Sequence, residues 1–391
     1  MMRKQKSNYY KLFPVAPIMD GGRRGYSTSA SSSVALLTNV TAKLNKVRTV
    51  SSMGSDDVYV VGNGGVILKG LNGSNMTQMT ISGFNSNLYD IAISNGISLA
   101  VGQAGQIVKY NGTNWVPVNN MEALALNATD MIGASGTGYG VGKNGMIAKT
   151  EDAGYTWTKI DTKKTQSLYG VAFRDNVNGV AVGDNGAIMR TVNGGLDYFK
   201  ATVNKPSGLI ANLKAVQWVN DKLGFIAGAG GMVLKTIDGG VNWTTETTGS
   251  TSDFTSVYFP DKQVGYAVGS NKAIYKAQLN IGTGVYAWTA TPELDPAASA
   301  FNLNSVYFVD REIGYVSGTG GRLYKTINGG DSWVKDANVS TSAGSNNIGK
   351  IIPVDRTNFF VAGAGTTLTH VNDEKDQYSV KLWYDELGRV V

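Results

Sequence analysis

One short segment returns eight times along these 391 residues, and that recurrence limits the fold more than any other feature. It reads Val58-Tyr-Val-Val-Gly62, Ile97-Ser-Leu-Ala-Val-Gly102, Gly138-Tyr-Gly-Val-Gly142 and Gly179-Val-Ala-Val-Gly183 in the first half. In the second half it reads Gly224-Phe-Ile-Ala-Gly228, Gly265-Tyr-Ala-Val-Gly269, Gly314-Tyr-Val-Ser-Gly318 and Phe359-Phe-Val-Ala-Gly363. Successive closing glycines lie 40, 40, 41, 45, 41, 49 and 45 residues apart. A unit of that size cannot bury its apolar faces alone and must stack on its neighbours. The period suits four short strands, so the sequence predicts an all-β fold, a β-propeller of four-stranded antiparallel blades. Counting units gives eight blades, with seven as the alternative.

Each unit resolves into strands by its local pattern. Leu168-Tyr-Gly-Val171-Ala-Phe173 and Leu303-Asn-Ser-Val306-Tyr-Phe308 alternate with period two, as a first strand with two packed faces requires. The Gly-Tyr-Ala-Val-Gly segment is the second strand, and its small residues are expected to let adjacent blades approach closely. A glycine-rich turn such as Asp184-Asn185-Gly186 leads into a third strand of Ile-x-Lys-Thr type. The fourth strand of the last unit is expected from the N-terminal segment Ser33–Val40 or from Tyr378–Trp383, because closing the ring removes exposed strand edges.

Between strands three and four lies the most specific motif. Thr150-Glu-Asp152-Ala-Gly154-Tyr-Thr-Trp157, Thr236-Ile-Asp238-Gly-Gly240-Val-Asn-Trp243 and Thr326-Ile-Asn328-Gly-Gly330-Asp-Ser-Trp333 share one pattern, and Thr191-Val-Asn193-Gly-Gly195-Leu-Asp-Tyr198 departs from it only in its aromatic residue. These resemble the Asp-box hairpin of several β-propeller families. The Asp or Asn side chain can bond amides of its own turn, the glycine relieves strain, and the aromatic residue is expected to pack between blades. The box is a folding device and says little about activity.

A basic side chain stands seven residues beyond each closing glycine: Lys69, Lys109, Lys149, Arg190, Lys235, Lys276 and Lys325, with His370 in the eighth unit. A ring of cations could face an anionic partner. A position filled alike in every blade serves the scaffold more readily than a single site, so the stems are expected to lie along aromatic neighbours. Acids recur as well, at Asp175, Asp221, Asp261, Asp310 and Asp355, and are read as another scaffold position.

Composition removes several function classes. The chain has no cysteine and one histidine, so disulfides, thiolate nucleophiles and histidine-paired metal sites cannot be built from it. We expect no catalytic, cofactor-binding or metal residues, and no cofactor. Arg3, Lys4, Lys6, Lys11, Arg23 and Arg24 face only Asp20 within residues 1–24; the remainder carries 29 basic and 28 acidic residues. A body so near neutrality has no long-range basic field, which argues against nucleic acid. No run of 18 apolar residues occurs, so no helical membrane span is expected. Sialidase-like chemistry would need a tyrosine nucleophile and an arginine cluster, and the arginines beyond the tail fall at scattered repeat positions. No convergent, non-repeated acid–base set appears, so an enzyme is not expected.

What remains is surface. The connections from each fourth strand to the next first strand, residues 199–212, 244–253, 289–302 and 334–348, vary in sequence and should emerge on one face beside the central channel, where binding usually resides. Over residues 45–370 the full repeat is similar to the propellers of the photosystem II assembly and stability factor family, which implies a non-enzymatic chaperone that grips partner proteins. Leu382-Trp-Tyr384-Asp385-Glu-Leu-Gly388-Arg389-Val-Val391 resembles the opening of a Tyr-Asp repeat of the Rhs type, which implies a longer secreted bacterial polypeptide. The sequence thus divides into a basic, Ser-rich arm (1–32), a propeller (33–375) and a tail (376–391). The expectation is a non-enzymatic, exported or cell-surface bacterial propeller that engages a protein partner or belongs to a larger assembly. An assembly chaperone of the periplasm or thylakoid lumen is the first alternative. A glycan-binding or glycoside-hydrolysing propeller is the second.

Overall fold

The computed structural model describes residues 44–336 apart from 53–54, 72–73, 80, 95–96, 119–124, 133–135, 197–202 and 297, together with 32–35, 348–353, 358–363 and 368–372. These residues form seven four-stranded antiparallel sheets and one three-stranded sheet. Blade 3 is representative, with strands Leu126–Ile132, Thr137–Gly142, Ile147–Thr150 and Thr158–Ile160 in sequential order. Blade 4 is the sheet with three described strands, Leu168–Phe173, Gly179–Gly183 and Ile188–Thr191.

The first strands of blades 1 to 8 begin at Leu44, Leu88, Leu126, Leu168, Leu213, Phe254, Leu303 and Ile348. Each touches the first strand of the next blade, and that of blade 8 touches that of blade 1, so they form the closed inner ring of a propeller. Closure also joins the first and last described strands. The segment Ser32–Ala35 pairs antiparallel with Leu368–Asn372, placing Val34 opposite His370, and thereby completes blade 8. Of the two segments expected to supply this strand, the N-terminal one does so; Tyr378–Trp383 lies outside the described residues.

The glycines of the second strand have a different purpose from the one expected. A Cβ on Gly102, Gly183 or Gly269 would strike the carbonyl oxygen of Asn87, Ser167 or Asp253 respectively. Each of these is the residue just before the first strand of the same blade. The backbone at Gly183 is extended (φ −171°), so space and not handedness requires glycine. The close approach is therefore within a blade, between strand two and the root of strand one, and not between blades. At the other end, a Cβ on Gly179 would come within 2.5 Å of the Phe173 ring, and one on Gly224 within 2.7 Å of Trp218.

Those strand-one aromatics carry the contacts between blades. Phe173 stacks on Tyr139 of the preceding blade with centroids 4.0 Å apart, Phe259 on Phe225 at 3.8 Å, and Phe308 on Tyr266 at 3.6 Å. The apolar core is accordingly a series of seams. One of them joins Val180 and Val182 of blade 4 to Leu213, Ile226, Leu234 and Trp243 of blade 5. Near the axis, polar side chains cover first-strand amides of the next blade. Asp90 accepts the Thr129 amide at 3.0 Å, Asp130 that of Phe173 at 2.8 Å, and Gln217 that of Phe259 at 2.8 Å.

The recurring acid caps the turn between strands one and two. Asp175 accepts the amides of Val177 and Asn178, and Asp310 those of Glu312 and Ile313. Burial pulls the Asp175 carboxyl upward, but these donors outweigh it and hold the group below its ordinary range. In blade 5 the cap is Asn220, which accepts the Lys222 and Leu223 amides; the repeat position is therefore Asn220 and not Asp221. Asp355 lies outside the described residues.

Candidate functional site

The ring presents two unlike faces. On one, the box hairpins bond to the strand-one-to-two turns of their own blades: Gly194 donates to Val177 O at 2.9 Å, Gly239 to Lys222 O at 3.0 Å, and Gly329 to Glu312 O at 2.8 Å. On the other, the strand-two-to-three turns bond the loops that enter strand one, as where Asp184 donates to Ser167 O at 2.9 Å and Ala229 to Asn212 O at 2.9 Å.

The box face is occupied by scaffold. In blade 5, Thr236 donates to Asp238 at 2.9 Å and accepts the Gly240 amide at 2.9 Å. Asp238 accepts the amides of Val241 and Asn242, and the Trp243 indole donates to Gly240 O at 3.1 Å. Asp152 in blade 3 and Asn328 in blade 7 repeat the arrangement, with Gly154 and Gly330 donating to Thr150 and Thr326. Asn193 and Gly195 do so around Thr191, whereas Tyr198 lies outside the described residues. Trp157 and Trp243 are buried in the seam with the preceding blade, and Trp333 packs on the seam between blades 6 and 7.

Five of the repeated cations, Lys69, Lys109, Arg190, Lys235 and Lys276, reach a residue of the following blade. Arg190 Nε donates to Gly239 O at 3.1 Å, and Lys276 Nζ meets Asp331 at 3.3 Å; both acceptors are in the next box. Lys109 Nζ lies 3.0 Å from the ring centre of Tyr155, and Lys69 Nζ lies 5.8 Å from that of Tyr110. Lys235 bonds the buried Glu246 carboxylate at 2.7 Å and lies 5.2 Å from the Tyr286 ring. Lys149 pairs with Glu151 at 2.6 Å, Lys325 is buried on blade 7, and His370 is a strand position opposite Phe360. Second-strand tyrosines add to these links, since Tyr139 donates to Gly194 O at 2.7 Å and Tyr266 to Gly329 O at 3.0 Å. Burial raises both phenols above their ordinary range, which opposes any service as nucleophiles.

A cleft of about 340 Å³ opens between the boxes of blades 3 and 4, lined in part by Lys149, Glu151, Asp152, Lys159 and Leu196. Burial pulls the Asp152 carboxyl upward, but bonds from Thr156 and Thr150 prevail and hold it below its usual range. A glycosidase acid needs the opposite shift.

Sequence reasoning missed the feature that distinguishes the second face. Every first strand carries a β-bulge at its second residue, seen as register breaks at Leu44/Lys46, Leu88/Asp90, Leu126/Ala128 and Leu168/Gly170 and at the corresponding points of the other four blades. A bulge adds one residue and re-aims its side chain. Because the first strands form the inner ring, these residues circle the channel mouth. They are Asn45, Tyr89, Asn127, Tyr169, Lys214, Thr255, Asn304 and Gly349. Asn127 donates to Leu168 O of the next blade at 2.8 Å and Thr255 to Leu303 O at 2.7 Å. Lys214 Nζ sits 3.8 Å from the ring centre of Tyr169, whose hydroxyl donates to Asp184 at 3.1 Å. The available signal was a repeated position, directly after the first apolar residue of strand one, whose identity changes from blade to blade.

Comparison with known proteins agrees with the architecture. Residues 156–250 match the model of the family described as photosynthesis system II assembly factor YCF48. The chain resembles that family over this stretch and has the fold of its solved members. YCF48 from Cyanidioschyzon merolae is similar with a TM-score of 0.59 at 15% identity, covering 89% of this chain and 100% of that one. YCF48 bound to D1 peptide gives 0.57 at 14% identity over 90% and 98% of the two chains. Sqt1 from Chaetomium thermophilum gives 0.63 at 11% identity over 89% and 99%. No curated protein matches the sequence. Among the described residues, no helix is long and apolar enough to cross a membrane.

Proposed function

We propose that this chain is a non-enzymatic propeller that holds a protein partner over the channel mouth, on the face formed by the strand-two-to-three turns and the loops entering strand one. One observation carries this: a bulge repeated in geometry around the ring holds residues that are not uniform, namely Tyr89 and Tyr169, Asn45, Asn127 and Asn304, Lys214, Thr255 and Gly349. Scaffold positions repeat because each blade needs the same contact, whereas a binding surface for an asymmetric partner has no reason to. The described strand-three cations, the box acids and the second-strand tyrosines are engaged between or within blades, which leaves chemistry on the other face short of groups. A solved protein of the same fold is described with a bound peptide, which supports a polypeptide partner. An exported or surface setting, as part of a longer polypeptide or as an assembly factor, is included in the proposal.

The test is comparative. Tyr89→Ser/Tyr169→Ser alters the channel mouth, and Leu196→Ser/Ile237→Ser alters exposed apolar positions on the box face. With the tagged protein isolated from its source cells, the first variant is expected to lose the wild-type partner at unchanged melting temperature, and the second to keep it. Loss only from the box-face variant would refute the assignment.

A further inference from the structure

The channel mouth is not electrically uniform. Two lysines, Lys205 and Lys214, stand at the blade 4 turn Asp184–Gly186, and Lys164 comes from the loop that packs on Gly145 of the blade 3 turn beside it. Lys205 Nζ donates to the Gly186 carbonyl oxygen. Lys164 is near enough to act on Lys205: burial first, and the Lys164 charge second, lower the Lys205 ammonium from its ordinary range. Lys214 lies over Tyr169, and Tyr169 is hydrogen-bonded to Asp184 on the same turn. Among the described residues no carboxylate forms an ion pair with Lys164, Lys205 or Lys214. The neighbouring Lys163 is different, being paired with Asp161.

The contrast with the rest of the molecule is what calls for explanation. Outside the N-terminal arm the chain carries 29 basic and 28 acidic residues, so like charges need not be brought together. Several lysines elsewhere on the ring meet carboxylates, as at Lys235–Glu246, Lys272–Glu293 and Lys276–Asp331. Here the Lys205 ammonium is held on the Gly186 carbonyl and the Lys214 ammonium stands on the Tyr169 ring, with Asp184 as the acid at the centre. Such an arrangement is unfavourable in isolation and is relieved by an anionic ligand. The loop bearing Lys205 also supplies an apolar contact. Leu209 is buried against Gly186, which pins the loop, while Ile210 beside it is 79% exposed.

We propose that Lys205 and Lys214 at the Asp184–Gly186 turn and Lys164 from the loop beside it, with Ile210 at their edge, form the docking site for an acidic stretch of a partner polypeptide that carries apolar residues among its carboxylates. The proposal rests on the channel-mouth face being the partner-binding face. Carboxylates would meet the ammonium groups, and an apolar side chain would cover Ile210. Extended polypeptide is favoured over nucleic acid because the surrounding body has no basic field and the site pairs cations with an exposed aliphatic residue.

The experiment uses the full chain and three labelled probes followed by fluorescence anisotropy: a Glu–Leu copolymer, a Gln–Leu copolymer of the same length, and a single-stranded RNA homopolymer. The Glu–Leu probe is expected to bind, and to weaken as salt rises. Lys164→Glu/Lys205→Glu/Lys214→Glu should weaken it by about tenfold or more at unchanged circular dichroism. Lys222→Glu, on the opposite face, should leave it unchanged. An unaffected triple variant, or tighter binding of RNA than of the Glu–Leu probe, would overturn the proposal. Equal binding of the Gln–Leu probe, abolished by Tyr89→Ser, would remove the acidic requirement and retain the face. If no probe binds, the acidic-peptide proposal fails, and partner loss from Tyr89→Ser/Tyr169→Ser decides separately whether the face stands.

Discussion

Gly183 shows how one atom constrains a blade. Its missing side chain lets the end of strand two lie under the Ser167 carbonyl, at the root of the bulged first strand. Gly183→Ala should therefore cost about 1–3 kcal/mol, the usual penalty for overpacking a tight site, read as a lower denaturant midpoint at constant slope. Gly208→Ala is the spatial control, since a Cβ there meets nothing within 4 Å and only its positive φ (69°) is disturbed. At Asp238, burial raises the carboxyl, but the bonds from Asn242, Thr236 and Val241 prevail and lower it. A carboxyl lowered on folding stabilises fully above its unfolded value, about 3.9, and that contribution is lost as pH falls through the lower folded value. Asp152→Asn/Asp238→Asn, which copies the natural Asn193 and Asn328, should thus flatten the loss of stability below about pH 4 in acid-unfolding curves. The box was legible in the sequence because its spacing is local: Thr, Asp or Asn, Gly and Trp all bond within one hairpin. The glycine role was not legible, because its contact is with a backbone oxygen about fifteen residues upstream.

At the scale of elements, the strand-three cations Lys149 and Lys235 form ion pairs of unequal strength within their own blades, and the Lys235 pair is extended to blade 6 through Trp288 and Tyr286. Lys235 and Glu246 are both nearly enclosed (side chains 14% and 7% exposed), and the Trp288 indole also donates to Glu246 at 3.2 Å. Lys235→Met would leave that carboxylate buried without its counter-ion, at a cost of about 3–5 kcal/mol. Lys149→Met should cost less than about 1 kcal/mol, because Glu151 is 72% exposed and well screened. Urea titrations of the two variants measure the difference directly. Equal costs would mean that the packing of the cation stems, and not the burial of the charged pair, sets the contribution of this position. The cation ring was visible as a repeat, but it is the ammonium heads, not the stems alone, that lie over the rings of Tyr59, Tyr110, Tyr155 and Tyr286, where heads directed to solvent were expected. Its reach into the next box was not visible, since that contact joins residues about 40–55 apart, as in Arg190 to Gly239. The bulge was hidden for a different reason. Register is a property of a strand pair, so Tyr89 or Thr255 reads in sequence only as a break in alternation.

The whole molecule is a ring closed by a strand from its own beginning. Shortening the chain through residue 35 would open the edge of Leu368–Asn372. The shortened protein should melt at a lower temperature and self-associate through that edge, as sedimentation and thermal melting would show. Unchanged melting would mean that seam packing alone closes the ring. The repeat length made the propeller legible from sequence, because stacking units of one size admits few architectures. The choice between two candidate closing strands was not legible, since both were short apolar segments at a chain end. The asymmetry of the two faces was equally hidden: one carries the same box in blade after blade, and the other carries bulge residues of differing identity at the channel. Photo-cross-linking tests that division most directly, with benzoylphenylalanine placed at Tyr89 or Tyr169 on one face and at Leu196 or Ile237 on the other, in the source cell. Cross-links to one protein from Tyr89 and Tyr169 but not from Leu196 and Ile237 are the expected result. Cross-links confined to Leu196 and Ile237 would contradict the account.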